Sequence, residues 1–417
     1  MRRALCWGLF CLSLAAQTEP STRQEQLERE RMRKSEMLKP EVPTKAEKFF
    51  DRFAAMDMLG KITGTFPGLR LRVGQLVTGS GFALGPEYFR PDLATGNIVL
   101  RAGVSGSVRR YYKIDSYLGF PHISSNRFAA EIYAMHFDAP RMPYFGPGRD
   151  TRREARTSYR KEETSLDFKA GWRPTRRTLL VGVTGGVLAV NTGPGKDPRF
   201  PITEERFEAF ESFSAIALPG QLTNTVPGLR DQTNYLRGGV FLDIDKRDLP
   251  GDPHKGFHVE SSLTYYKDRD YGLYTFRRFD FSAEEYIPFF NRKRVIALRA
   301  KTQLSYRNPG QIIPFYMQPT LGGSDDLRGF NQFRFYDNNL IVTNAEYRWE
   351  VFPALDMALF ADAGKVFNRM AEFDLRHASV AYGIGFRLKT RESVAVRLDI
   401  GRSKEGMRIW LKFSNVF

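Results

Sequence analysis

The sequence predicts an all-β fold, a transmembrane antiparallel β-barrel of about 16 strands. Segments of alternating apolar and polar residues recur through the later chain, and glycine and aromatic residues are abundant (Gly 36, Tyr 18, Phe 34). No apolar run long enough for a helical span follows the N-terminus. The mean hydropathy of −0.40 agrees, because a spanning strand turns half its side chains to a polar lumen.

The chain opens with MRRALCWGLFCLSLAAQ, a basic pair (Arg2, Arg3), an apolar core and small residues at Ala15 and Ala16. That is the order of a secretory signal, expected over residues 1–16. Both cysteines, Cys6 and Cys11, lie inside it, which leaves neither a disulfide framework nor a cysteine metal site to the exported chain. Residues 17–50 are expected to form a charged periplasmic arm, with QEQLERERMRKSEML reading as an exposed helix ended by Pro40 and Pro43. The barrel is expected over 51–417.

A net charge of +16 would suggest nucleic acid in a cytoplasmic protein. Here the basic residues are spread through strands and loops with no local tract, which argues against nucleic acid and for a lumen lining or contact with outer-membrane lipid headgroups.

Strand patterning begins after Phe49. Ile98, Leu100, Ala102 and Val104 alternate with Val99, Arg101, Gly103 and Ser105, and the same two-sided pattern returns over 294–306, 378–389 and 392–401. Counting back from the C-terminus places further strands near 407–417, 355–365, 339–351, 273–287, 256–267, 233–243, 178–189, 163–172, 127–137, 110–118 and 97–109, with two weaker ones before residue 90. Three long connections are expected, 139–161, 191–231 and 308–337, the second with a short helix over ITEERFEAFESF.

The stretch Leu321–Phe330, LGGSDDLRGF, is a glycine-rich loop carrying a lone arginine, Arg328. On the strand after it, Glu346 opposes Tyr347 and Trp349 in parity, and on the next Asp362 opposes Leu359 and Ala361. Both carboxylates therefore point to the lumen.

These pieces resemble the BamA/TamA superfamily of outer-membrane barrels. Leu327-Arg328-Gly329-Phe330 is similar to its lid-loop signature, and Phe360-Ala361-Asp362-Ala363-Gly364 to its strand motif. Asp245, Arg247, Asp248, Pro253 and Gly256 resemble its hairpin motif, and Tyr144–Gly148 looks like a family turn. The resemblance covers roughly residues 60–417. It implies a loop inserted into the lumen, Arg328 against Asp362 with Glu346 nearby, and a role in inserting or translocating protein or lipid at the outer membrane.

Residues 17–50 are too short for one of the family's periplasmic POTRA domains, so a separate POTRA-type or chaperone partner is expected, with an unfolded polypeptide as client. The alternatives are a gated pore or structural barrel and, more remotely, a barrel hydrolase. Met407, Ile409, Leu411, Phe413 and Phe417 form one apolar face that resembles the C-terminal assembly signal of such barrels.

Catalytic and metal-binding patterns are weak. His254 and His258 are four apart, but Pro253 and Gly256 make a helical metal pair improbable. Ser80 and Ser324 lack the context of a nucleophile elbow. No catalytic residue, metal or cofactor is expected.

Overall fold

A computed structural model describes residues 68–413 except 78, 176–177, 210–224, 291–292, 353 and 390–393, together with Met32, Arg33, Lys45 and Lys48. Those four are helical. The expected signal segment, most of the expected arm and Phe417 lie outside the described residues.

From Leu69 onward, sixteen strands form one sheet in which each strand pairs with its sequence neighbours. They are β1 (Leu69–Gly74), β2 (Ala83–Leu93), β3 (Ile98–Ser107), β4 (Tyr112–Ile123), β5 (Phe128–Tyr144), β6 (Thr157–Trp172), β7 (Leu179–Pro194) and β8 (Thr233–Asp245). They continue as β9 (Gly256–Asp268), β10 (Phe276–Phe289), β11 (Arg294–Tyr306), β12 (Asn339–Phe352), β13 (Leu355–Phe367), β14 (Ser379–Lys389), β15 (Val394–Ser403) and β16 (Gly406–Phe413). Every pairing is antiparallel, and no helix of the described residues is long and apolar enough to cross a membrane.

Backbone hydrogen bonds between neighbouring strands satisfy the polar groups that lipid cannot. Alternation sorts the side chains: Val104, Ile114, Leu166, Val187, Val240, Leu298, Leu359 and Ile409 stand exposed on the outer wall, while Ser105, Asp115, Ser165, Glu346 and Asp399 are buried toward the lumen. The wall is incomplete. Among the described residues no backbone ladder joins β1 to β16. They meet through the Gln75 amide donating to the Leu411 carbonyl at 3.0 Å and the edge of Phe82 against Phe413.

The four longest connections, 145–156, 195–232, 307–338 and 368–378, all lie at one end of the barrel. The long connections are shorter than expected on one count. The pattern break at Pro140 and Pro143 reads as a loop, yet β5 runs on to Tyr144 through a register shift between Ala139 and Met142, and β6 starts at Thr157. A bulge accommodates a residue that cannot donate to the ladder. The expected helix over ITEERFEAFESF is confined to Thr203–Arg206 in the described residues, and Glu208–Ala209 then pairs in parallel with Thr225–Val226.

At the long-loop end the connections fuse into a cap. The ring of Tyr144 packs edge-on against Phe207, Phe315 and Tyr336 at centroid distances of 5.2, 5.2 and 4.9 Å, and Tyr159 against Phe315 at 4.8 Å. Edge-to-face aromatic pairs add to the area that the rings bury.

Candidate functional site: the lumen arginine network

The loop between β11 and β12 turns back on itself. Thr320–Leu321 pairs with Phe335–Tyr336, and Gly322 (φ +116°) and Gly323 (φ +104°) supply the backbone that a side chain would forbid. Leu321, Leu327 and Phe330 are fully buried against Leu340, Val342 and Val366 of β12 and β13. That apolar footing delivers Arg328 to the lumen carboxylates.

Arg328 donates from its backbone N–H to Asp362 at 3.1 Å, from Nε to the same oxygen at 2.9 Å, and from Nη2 to the other at 2.6 Å. Its Nη1 bonds Glu346, and its guanidinium lies 3.6 Å from the ring centre of Phe360. The forked cation thus has a bidentate anion, a second anion and an aromatic face. Gly364 lies on the same side of β13, and a Cβ there would meet the Ile341 carbonyl at 2.8 Å.

The charge does not stop at one pair. Glu346 also accepts from Arg387 Nη2 at 3.0 Å and from Arg348 Nε at 2.8 Å, and Asp399 accepts from Arg387 Nη1 at 2.7 Å and Arg397 Nε at 2.5 Å. Asn344 bridges Asp362 and the Asp326 carbonyl, both at 2.7 Å. Alternating cations and anions across four strands let each charge be shared, which is what permits seven ionised groups to lie buried together.

The loop is tied with equal density to the last two strands. Trp410 Nε1 donates to the Arg328 carbonyl at 2.7 Å and Ser403 Oγ to the Gly329 carbonyl at 2.7 Å. Arg397 Nη2 donates to the Ser324 carbonyl at 3.2 Å, Arg408 Nε to Asn331 at 2.8 Å, and Lys412 pairs with Asp325. A Cβ at Gly401 would stand 2.5 Å from the Arg328 carbonyl, and one at Gly329 2.7 Å from the Arg402 carbonyl.

The other sequence-marked residues occupy two further places. In the family-like turn, Gly148 N–H donates to the Tyr336 carbonyl at 2.6 Å, and the ring of Phe145 packs under Arg334. The hairpin motif lies at the opposite end of the barrel and does not touch Arg328. There Asp245 pairs with Arg247, and Asp248 accepts the backbone N–H groups of Leu249, His254 and Lys255 at 3.0, 3.0 and 3.1 Å. Burial pushes the Asp248 carboxyl up, and those three donors hold it below its ordinary value. Gly256 has φ +103° against the Lys246 carbonyl.

Pro253 lies in the turn that reaches across to the β14–β15 edge, where the Gly251 carbonyl accepts the Val394 N–H at 3.1 Å and Asp252 stands 3.4 Å from Lys389. Ile409 and Leu411 face outward and are exposed, with Phe413 on the same side of β16.

Sequence reasoning missed Arg387, Arg397, Asp399, Gly401 and Trp410. The first three alternate with the lipid-facing residues of β14 and β15, so parity places them inside. Nothing in a single sequence shows that they share one cluster with Arg328.

His254 and His258 are separated into different clusters. His258 lies beside Asp243 and Glu260, and His254 beside Asp252 and Asp356, where Lys389 stands 2.8 Å from Asp356. The first set carries ligand atoms suited to a divalent ion; in the second the Lys389 ammonium group already pairs with both carboxylates. The hydroxyl of Ser80 is taken up by the backbone of Val77 and Gly81.

Residues 211–403 match the model of the Omp85 superfamily domain. In its fold, the barrel is similar to the crystal structure of BamA from Haemophilus ducreyi lacking POTRA domains 1–3. Identity is 14% over 83% of this chain and 69% of that one, with a TM-score of 0.58. It is also similar to CdiB from Escherichia coli, at 13% identity over 83% of this chain and 62% of that one, TM-score 0.51. No curated protein matches the sequence.

Proposed function

We propose that this chain is an outer-membrane barrel of the BamA/TamA type whose work is polypeptide insertion or translocation, a reading supported by the match of residues 211–403 to the Omp85 superfamily domain and by the likeness of fold to BamA. One observation carries the reading: among the described residues the sheet has two free edges facing each other. There β1 is six residues long and ladders only with β2, and β16 ladders only with β15. A free edge is a template on which an incoming strand can pair.

The lid loop supplies the control. It is held by Arg328 to β12 and β13 and by Trp410, Ser403, Arg408 and Lys412 to β15 and β16, so its docking stabilises the strand that forms one side of the seam. Chemistry here is strand exchange of hydrogen bonds, with no covalent step. A separate periplasmic protein of POTRA or chaperone type would deliver the client to the short-turn end. A steadily open pore is the weaker reading, because the lid loop and the aromatic cap occupy the lumen and its long-loop mouth.

A locked seam tests this. Gln75→Cys with Leu411→Cys, joined by a short thiol crosslinker, bridges β1 to β16, and the only native cysteines are Cys6 and Cys11. In liposomes the locked barrel should stay folded yet fail to insert an unfolded outer-membrane barrel protein, which the uncrosslinked double variant inserts. Full insertion by the locked form would remove strand templating at this seam.

A further inference from the structure

Three arginines converge on one cavity of the lumen, and one carboxylate faces them. The cavity, about 160 Å³, lies between the β3–β4 turn, the far end of β5, residues 331–333 of the lid loop and Trp410. Arg109, Arg141 and Arg156 line it, and Asp197 is the only acidic residue of its lining among the described residues.

Asp197 is already engaged. Arg199 donates to it from Nε and Nη2 at 2.9 and 2.8 Å, leaving Arg156 Nη2 at 3.9 Å. The Arg109 guanidinium reaches a neutral partner, the Gly79 carbonyl, at 2.6 Å. The Nε atoms of Arg141 and Arg156 are both buried and without a hydrogen bond among the described residues.

Several other lumen arginines among the described residues meet carboxylates. Arg72 meets Glu87 and Asp115, Arg237 meets Asp167, and Arg387 meets Glu346 and Asp399. Burying donors of a guanidinium without an anion is unfavourable. Three arginines around a single carboxylate that Arg199 already holds leave this cavity with more cation than anion, a place that an external anion completes.

Guanidinium groups present planar forks that match tetrahedral oxyanions, and three of them can neutralise a dianion. The space is well above the ~10–15 Å³ that a single water needs. We propose that this cavity binds a phosphoryl group, carried either by free phosphate or by a lipid headgroup. The assignment stands apart from the use of the β1–β16 seam.

The test is calorimetric titration of the full chain in uncharged detergent with inorganic phosphate, against chloride at equal ionic strength. Saturable binding of phosphate alone is expected, weakened roughly tenfold or more in Arg141→Gln and in Arg109→Gln. Arg109 is exposed at a turn, so its variant should fold even if Arg141→Gln does not. Arg160→Gln, whose guanidinium pairs with Asp138 on the outer wall, should bind as wild type does.

A second arm adds micelles containing phosphatidic acid or phosphatidylcholine. Phosphatidic acid that competes with phosphate assigns the site to a lipid headgroup, and phosphatidic acid that does not compete assigns it to free phosphate. Equal responses to phosphate and chloride, or phosphate binding unchanged in Arg109→Gln and Arg141→Gln, would overturn the proposal.

Discussion

The indole N–H of Trp410 donates to the backbone carbonyl of Arg328 at 2.7 Å, so the residue that anchors the lid loop in the lumen is also bonded to the last strand of the sheet. Loop docking and seam geometry are therefore coupled through one hydrogen bond and its neighbours. Trp410→Phe keeps most of the ring volume and deletes the donor, leaving a part-buried carbonyl unpaired at about 1–3 kcal/mol. The crosslinking rate of the Gln75→Cys/Leu411→Cys pair should change in this background while the barrel remains folded. An unchanged rate would disconnect the loop from the seam.

Arg328→Ala should loosen the loop by about 3–5 kcal/mol, since it leaves the buried Asp362 without a cation, with the backbone N–H of residue 328 and Asn344 as its remaining described partners. Limited proteolysis between residues 307 and 338 gives the readout. Glu346 suffers less, because Arg348 and Arg387 still hold it. Arg328→Lys should recover only part of the loss, as one ammonium cannot span both oxygens of Asp362 and Glu346 together.

Arg334, in the same loop, is held by contacts of its own. It is 2% exposed, bonded to Glu405 at 2.8 Å and to Thr151, and lies between the rings of Phe145 and Phe335. Arg334→Ala should therefore also expose the loop, chiefly at its long-loop end. The informative contrast is a double-mutant cycle: coupling of Arg328 with Asp362 and of Arg334 with Glu405, with little between the two pairs.

Much of this arrangement is legible in the residues. Strand positions follow from alternation with period two, because one face of every strand meets lipid and the other a polar lumen. The inward parity of Glu346 and Asp362 follows from the same rule. Pairing across the lumen does not, since Arg387, Arg397 and Asp399 are brought to Glu346 by barrel curvature and by the lid loop, and neither is periodic in sequence. Gly401 is opaque for the same reason: its role is to let another segment's backbone approach, which its own neighbours do not record. The hairpin motif is legible as a turn, but its reach to Val394 and Lys389 depends on the curl of the sheet.

Asp337 gives the loop a pH dependence of definite sign. Burial pushes its carboxyl up to about 6, the Asn338 backbone N–H pulls the other way, and Glu372 adds to the rise. A carboxyl whose folded value lies above its unfolded one, ~3.9, binds its proton more tightly when folded. Its contribution to stability is complete below about pH 4 and is lost as pH rises through about 6. Asp337→Asn should flatten the dependence of loop protection from protease between those limits, and raise protection at neutral pH. An identical pH profile in the two proteins would show that another group sets it.

Gly401→Ala tests whether close approach, more than charge, seats the loop. The added methyl would stand 2.5 Å from the Arg328 carbonyl and 2.6 Å from its carbon, both backbone atoms that cannot swing away. Either the lid loop lifts or β15 bends, at about 1–3 kcal/mol. Arg328 then loses its fit to Asp362 although every charge is still present. Gly106→Ala is the matched comparison, because nothing lies within 4 Å of the Cβ it would add. Proteolysis of the loop should rise in the Gly401 variant and stay at the wild-type level in the Gly106 variant. If both behave as wild type, the ion network alone holds the loop and the glycine contact is incidental.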